Sequence, residues 1–217
     1  MLRTETIERD TFKLLIALMH DDKLNHFNLV GGTALALYMG HRNSIDLDLF
    51  SPTNFDVKDL EKHLKETYGF LKQKESDATL MGFINDIKID FIRYDYPLVQ
   101  PVFVCEGIRL CSMPDIAAMK LVAISQNGTR LKDFVDVAYL STKMSLNEML
   151  ESFEKRYPNT HKILVAKGLS YFNDIDFKPK IELMDGVFKW KDIEKRIKDM
   201  IKYPSKVFLQ YPIKTKK

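Results

Sequence analysis

The chain has 217 residues, 45% hydrophobic and 29% charged, which is enough apolar material for one large or two small packed domains and excludes a disordered chain. Its net charge is +3 but uneven: residues 187–217 hold ten Lys/Arg against three Asp/Glu, so the tail suits either a polyanionic partner or a solvated amphipathic helix. Two cysteines flanking one apolar run, five histidines without metal-site spacing, no opening signal segment and no run near about 18 apolar residues lead us to expect a reduced, cytoplasmic protein without zinc or membrane segment.

In chain order, residues 6–21 space Ile7, Phe12, Leu15, Ile16 and Met19 as an amphipathic helix. Residues 27–30, apolar but for Asn28, stop at Gly31-Gly32, the pattern of a strand and a breaker. Residues 33–39, rich in Ala and Leu, read as a helix closed by Gly40. Ile45, Leu47 and Leu49 then alternate with Asp46 and Asp48, a strand with one apolar face and two carboxylates on the other. Residues 56–68 carry the apolar stripe of a helix that ends at Gly69. Strands follow at 70–74, 79–84 and 87–94, the last two joined by a hairpin turn at Asn85-Asp86. Lys88, Asp90 and Ile92 share one face, so Asp90 is a carboxylate in the middle of a central strand.

Residues 102–109 read as one further strand. Ser112 caps a helix that runs to residue 126, with Pro114 in its first turn and Lys120 in its middle. A second helix spans 130–140, with Asp133 and Asp136 on one face. Ser145 and Glu148 make a capping box, helices are expected over 160–172 and 191–203, and residues 174–187 are the linker candidate. Mixed strands and helices followed by helices alone indicate an α+β chain, with a mixed lobe over 1–112 and a helical lobe over 113–217.

Asp46 and Asp48 repel each other, with no cation between them in sequence. A divalent ion relieves that, since Mg²⁺ is held by one or two carboxylates plus substrate phosphates. The glycine turn brings backbone close to a ligand and opens a helix N-terminus where anions are favoured. The ordered string Gly31-Gly32-Thr33-Ala34-Leu35-Ala36-Leu37, then Gly40-His41-Arg42-x-Ser44-x-Asp46-x-Asp48-Leu49-Phe50, resembles the first signature of the polymerase-β-like nucleotidyltransferases, and within them the AbiEii/AbiGii toxin branch. Many members have Gly-Ser where this chain has Gly31-Gly32, which leaves Thr33 to supply a hydroxyl. The motifs span residues 25–140.

The resemblance implies a polymerase-β-like lobe, a small mixed sheet flanked by helices, followed by a C-terminal helical lobe. It implies an enzyme that moves a nucleoside monophosphate from a nucleoside triphosphate to an acceptor hydroxyl. Asp46, Asp48 and Asp90 would hold Mg²⁺ or Mn²⁺, with Asp90 also acting as general base. Gly31, Gly32, Thr33, Arg42 and Ser44 would meet the triphosphate, as would Lys120, which matches a signature lysine. Arg130-x-Lys132-Asp133-x-x-Asp136 is similar to the last signature and places Lys132 and Asp133 at the site, with Asp136 orienting its neighbours. Plainer readings stand beside these: solvated carboxylates, a tight turn, a lysine with a buried stem and a charged helix face. The branch implies a toxin of a toxin–antitoxin or abortive-infection pair, an RNA acceptor such as a tRNA end, and a cognate antitoxin. The alternatives are a small-molecule or protein acceptor, or a nucleotide- or partner-binding module without turnover.

Overall fold

The computed structural model describes residues 1–213, so Lys214, Lys216 and Lys217 of the basic tail lie outside the described residues. The chain divides into two compact units. The first comprises Met1–Gly40, Ser44–Tyr96 and Pro101–Cys111, and the second His41–Asn43, Pro97–Gln100 and the chain from Ser112 onward.

The first unit is built on a seven-stranded sheet. Its strands are β1 (Asn28–Val30), β2 (Leu47–Ser51), β3 (Leu71–Ser76), β4 (Thr79–Ile84), β5 (Ile87–Arg93), β6 (Phe103–Cys105) and β7 (Ile108–Leu110), in the order β3-β4-β5-β2-β1-β7-β6. β2 pairs parallel with β5 and β1 parallel with β7, and the other pairings are antiparallel. β1 lies inside the sheet and is buried throughout, Leu29 and Val30 completely and Asn28 with them. In β2 the burial alternates, with Leu47, Leu49 and Ser51 inside. Ile45, expected on that apolar face, is instead 54% exposed, because the strand begins only at Leu47. The core beneath is aromatic: Phe27 meets Phe91 edge-on with ring centroids 5.1 Å apart.

Helix α1 (Arg9–Met19) packs on β7, α2 (Gly31–Met39) on β1 and β2, and α3 (Val57–Tyr68) on β3 and β4. Asp56 caps α3 by accepting from the amides of Lys58 and Asp59, and Gly69 ends it in the left-handed region. The Asn85-Asp86 turn joins β4 to β5 with positive φ at both residues, the backbone of a tight hairpin. The stretch expected to be a single strand at 102–109 is a hairpin. Glu106 and Gly107 also take positive φ, and they fold β6 back onto β7.

The second unit is helical: α4 (Met113–Gln126), α5 (Leu131–Leu140), α6 (Leu146–Arg156), α7 (Lys162–Ser170) and α8 (Trp190–Lys202). α4 packs against α5, α6 and α7, and α5 against α8. Ser112 caps α4, and Ser145 with Glu148 forms the expected capping box on α6. Asp115 and Arg156 form a buried ion pair, and Asp115 also accepts from the amides of Val99 and Gln100. No described helix is long and apolar enough to cross a membrane.

Candidate active site

In the first unit, Asp48 of β2 and Asp90 of β5 are direct partners across a parallel pairing. Neighbouring strands run about 4.8 Å apart, so the two carboxylates stand side by side. Gly31 opens α2 with φ +71° and lies against Asp48: a Cβ at Gly31 would sit 2.2 Å from Asp48 Oδ2. Only glycine lets the turn approach the acidic strand this closely. Asp46 stands just ahead of β2, half-buried.

Thr33 and Ser44 are both buried, and their hydroxyls are hydrogen-bonded to each other at 2.8 Å. Thr33 Oγ1 also donates to the Asp46 carbonyl, and the Ser44 amide donates to Thr6 O at 3.0 Å. Both hydroxyls therefore fasten the loop that carries Asp46 to the first turn of α2.

Lys88, two residues before Asp90 on the same face of β5, donates from Nζ to Asp90 Oδ2 at 2.8 Å. Burial pushes the Lys88 pKa down, but the bond and charge of Asp90, with the charges of Asp46 and Asp48, raise it above its ordinary value. The cation that sequence reading found missing between the aspartates thus comes from the next strand. Its signal was the spacing of two residues from Asp90, which puts both side chains on one face.

Asp90 is buried, and its second oxygen, Oδ1, has no hydrogen-bond partner. An orphaned carboxylate oxygen beside a second carboxylate, under a turn that admits no Cβ, fits a divalent cation. Among the described residues no three His, Cys, Asp or Glu side chains form a ready-made ion cage. Magnesium does not require one when substrate phosphates complete its shell.

Arg42, Lys120 and Asp133, also expected at the site, belong to the second unit, where they form a buried ionic cluster with His41 and Asp136. Arg42 grips Asp136 with both arms, Nε to Oδ1 at 2.7 Å and Nη2 to Oδ2 at 2.9 Å. His41 Nε2 donates to Asp136 Oδ1 at 2.9 Å. From α4, Lys120 Nζ reaches Asp133 Oδ1 at 2.7 Å and Asp136 Oδ2 at 2.8 Å. The short segment carrying His41 and Arg42 is held by Asn43 N donating to Glu182 O at 2.9 Å and Met184 N donating to His41 O at 3.1 Å.

Burial works against the Asp136 charge, but the Arg42 and Lys120 cations and the hydrogen bonds from His41 and Arg42 hold its pKa well below the ordinary value. Lys120 is likewise penalised by burial and yet raised by Asp133 and Asp136. Burial keeps His41 neutral-leaning, with its pKa lowered despite the bond to Asp136. Arg130, at the start of α5, is exposed and lies 3.6 Å from Asp133 Oδ2, and Lys132 is half-buried in the first turn. Arg42 and Lys120 therefore spend their charges on carboxylates within their own unit.

The fold is that of the polymerase-β-like nucleotidyltransferases, as the resemblance implied. JHP933 from Helicobacter pylori is similar over 92% of this chain and 93% of that one, with a TM-score of 0.54 at 18% identity. A second H. pylori structure agrees over 91% of this chain and 96% of that one, with a TM-score of 0.55 at 17% identity.

Sequence narrows the class. Residues 13–207 match the family described as "Nucleotidyl transferase AbiEii toxin, Type IV TA system", and the chain belongs to that family of nucleotidyltransferases. It is also 34% identical over 179 residues to an uncharacterized protein of Aquifex aeolicus (strain VF5), covering 77% of this chain and 86% of that one.

Proposed function

We propose that the protein transfers a nucleoside monophosphate from a nucleoside triphosphate to a hydroxyl of RNA, in the manner of a tRNA end, as the toxin of a pair with a cognate antitoxin. The observation that carries this reading is the in-register pair Asp48 and Asp90, set against the glycine turn at Gly31. The family supports the toxin role and the antitoxin partner.

Asp48 and Asp90, with Asp46 beside them, would hold Mg²⁺ or Mn²⁺, which supplies charge neutralisation at the phosphates. The amides of Gly31 and Gly32, at the opening of α2, face the anionic substrate where the helix dipole favours it. Thr33 and Ser44 keep that turn and Asp46 in fixed relation. Lys88 holds Oδ2 of Asp90 and leaves Oδ1 available. Asp90 takes the proton of the acceptor hydroxyl as the hydroxyl oxygen bonds to the α-phosphorus, and the α–β phosphoanhydride bond breaks to release pyrophosphate. Asp133, Lys120 and Arg42 act by positioning within the second unit, and Lys132 is that unit's candidate phosphate contact.

Incubation with each radiolabelled nucleoside triphosphate, Mg²⁺ and total RNA tests the reading. Labelled RNA that disappears with Asp48→Ala and with chelator is the expected result. Label on protein or on a small molecule would move the acceptor to another class, and no label anywhere would leave a binding module.

A further inference from the structure

We infer that a basic groove in the second unit, formed by α8 and the segment that follows it, binds single-stranded RNA along its phosphodiester backbone. The inference rests on RNA as the acceptor and names where that strand is held. The groove encloses about 490 Å³, the size of a site for a drug-sized molecule.

Its cations divide into two kinds. Arg196 is committed to the wall: Nη1 donates to Ser141 Oγ at 2.9 Å, Nη2 donates to Gln210 O at 2.8 Å, and the guanidinium lies 4.3 Å from the centre of the Phe208 ring. These contacts tie the segment after α8 back into the unit and shape the groove. Lys189 and Lys195 line it as exposed ammonium groups, and Lys206, also exposed, keeps its Nζ 5.0 Å from the centre of the Phe208 ring. Asp192 and Asp199 line it too, so four cations face two carboxylates and the balance is positive. Tyr211, 36% exposed, adds an aromatic ring to the lining. In sequence, Lys214, Lys216 and Lys217 follow directly after the lining residue Ile213.

Point charges that track a backbone, joined by a ring on which a base can stack, are the equipment of sequence-tolerant single-strand binding. One side of the Tyr211 ring packs on Tyr139 with centroids 5.2 Å apart, and its exposed part is where a base, which an acidic protein lacks, would lie.

The test is fluorescence anisotropy of the full chain with a short labelled oligouridylate across a salt series. Three exposed lysines on phosphates give a slope of log affinity against log salt of about −2. Lys195→Gln combined with Lys206→Gln should flatten the slope by about 1.4 and weaken binding severalfold at low salt. The melting temperature should change only slightly, because Lys195 is solvent-facing and Lys206 gives up only an exposed contact with the Phe208 ring. Equal affinity and slope in the double variant would overturn the inference. So would polyglutamate displacing the label as well as unlabelled oligouridylate does, which would assign the groove to an acidic protein. Nucleotidyl transfer is scored separately. Groove-dependent RNA binding without any transfer keeps the site and removes the transfer reading, whereas RNA labelling unaffected by the double variant removes the site alone.

Discussion

Gly31 is the residue where backbone conformation and acidic chemistry meet. Its φ of +71° lies in the left-handed region, where a side chain costs roughly 1–2 kcal/mol. A methyl there would also displace the Asp48 carboxylate it faces at 2.2 Å. Gly31→Ala should therefore reduce transfer far more than it reduces stability, which paired melting and activity measurements would show. Asp90→Asn keeps the shape but removes the proton acceptor. A loss of about 10²–10⁴-fold in transfer is expected, with nucleotide binding largely kept.

Asp136 belongs to stability instead. Asp136→Asn leaves Arg42 and Lys120 buried with too little negative charge, and should cost about 3–5 kcal/mol in urea unfolding. The same cluster sets a pH dependence of definite sign. The Asp136 pKa is lowered, so its contribution is present above 3.8 and lost as pH falls through the folded value. His41 is lowered from 6.5, so below that pH the unfolded chain takes up a proton the buried ring refuses, and stability declines. His26, lowered by burial and by Arg109, adds to that decline. Lys120 is raised, so its contribution is full below 10.5 and lost as pH rises through the folded value. Denaturation midpoints should fall below pH 6.5, and His41→Gln should flatten the upper part of that limb.

At the scale of elements, what could be read from the sequence was local. The caps at Ser112 and Ser145, the stop at Gly69 and the hairpin turn at Asn85-Asp86 each rest on residues within a few positions of one another. So does the glycine turn before the Asp46/Asp48 strand. The β6–β7 hairpin escaped because its turn sits inside an apolar run, although Gly107 in that run was the signal. The ionic cluster escaped for a different reason: Arg42 and Asp136 are 94 residues apart, and nothing in either neighbourhood names the other. A charge beside a glycine motif reads as a ligand contact until its partner is seen.

Glycines separate by element as well. A Cβ at Gly82 in β4 would lie 2.2 Å from the Leu71 carbonyl oxygen and 2.5 Å from the Phe70 ring, so Gly82→Ala should cost about 1–3 kcal/mol by overpacking β3. Gly69→Ala meets open space and should cost only its left-handed backbone, roughly 1 kcal/mol. Urea unfolding of the two variants would give that order.

For the whole molecule, the toxin reading has a direct consequence in cells. Expressed alone in a bacterium, the chain should arrest growth, and Asp48→Ala should restore it, as a growth curve would show. The units also differ in what they offer. The first holds the acidic pair and the glycine turn, and the second holds the buried ions and the basic groove. The chain passes between the two units five times, and His41–Asn43 leaves the first unit only to complete the acidic cluster of the second. A gene cut after Cys111 would thus strand Arg42 on one polypeptide and Asp133 with Asp136 on the other. Neither product should be recovered folded by itself, yet each carries half of a lock the other completes. Produced together, the fragments would make a natural split reporter, with reassembly read out by return of the enzyme.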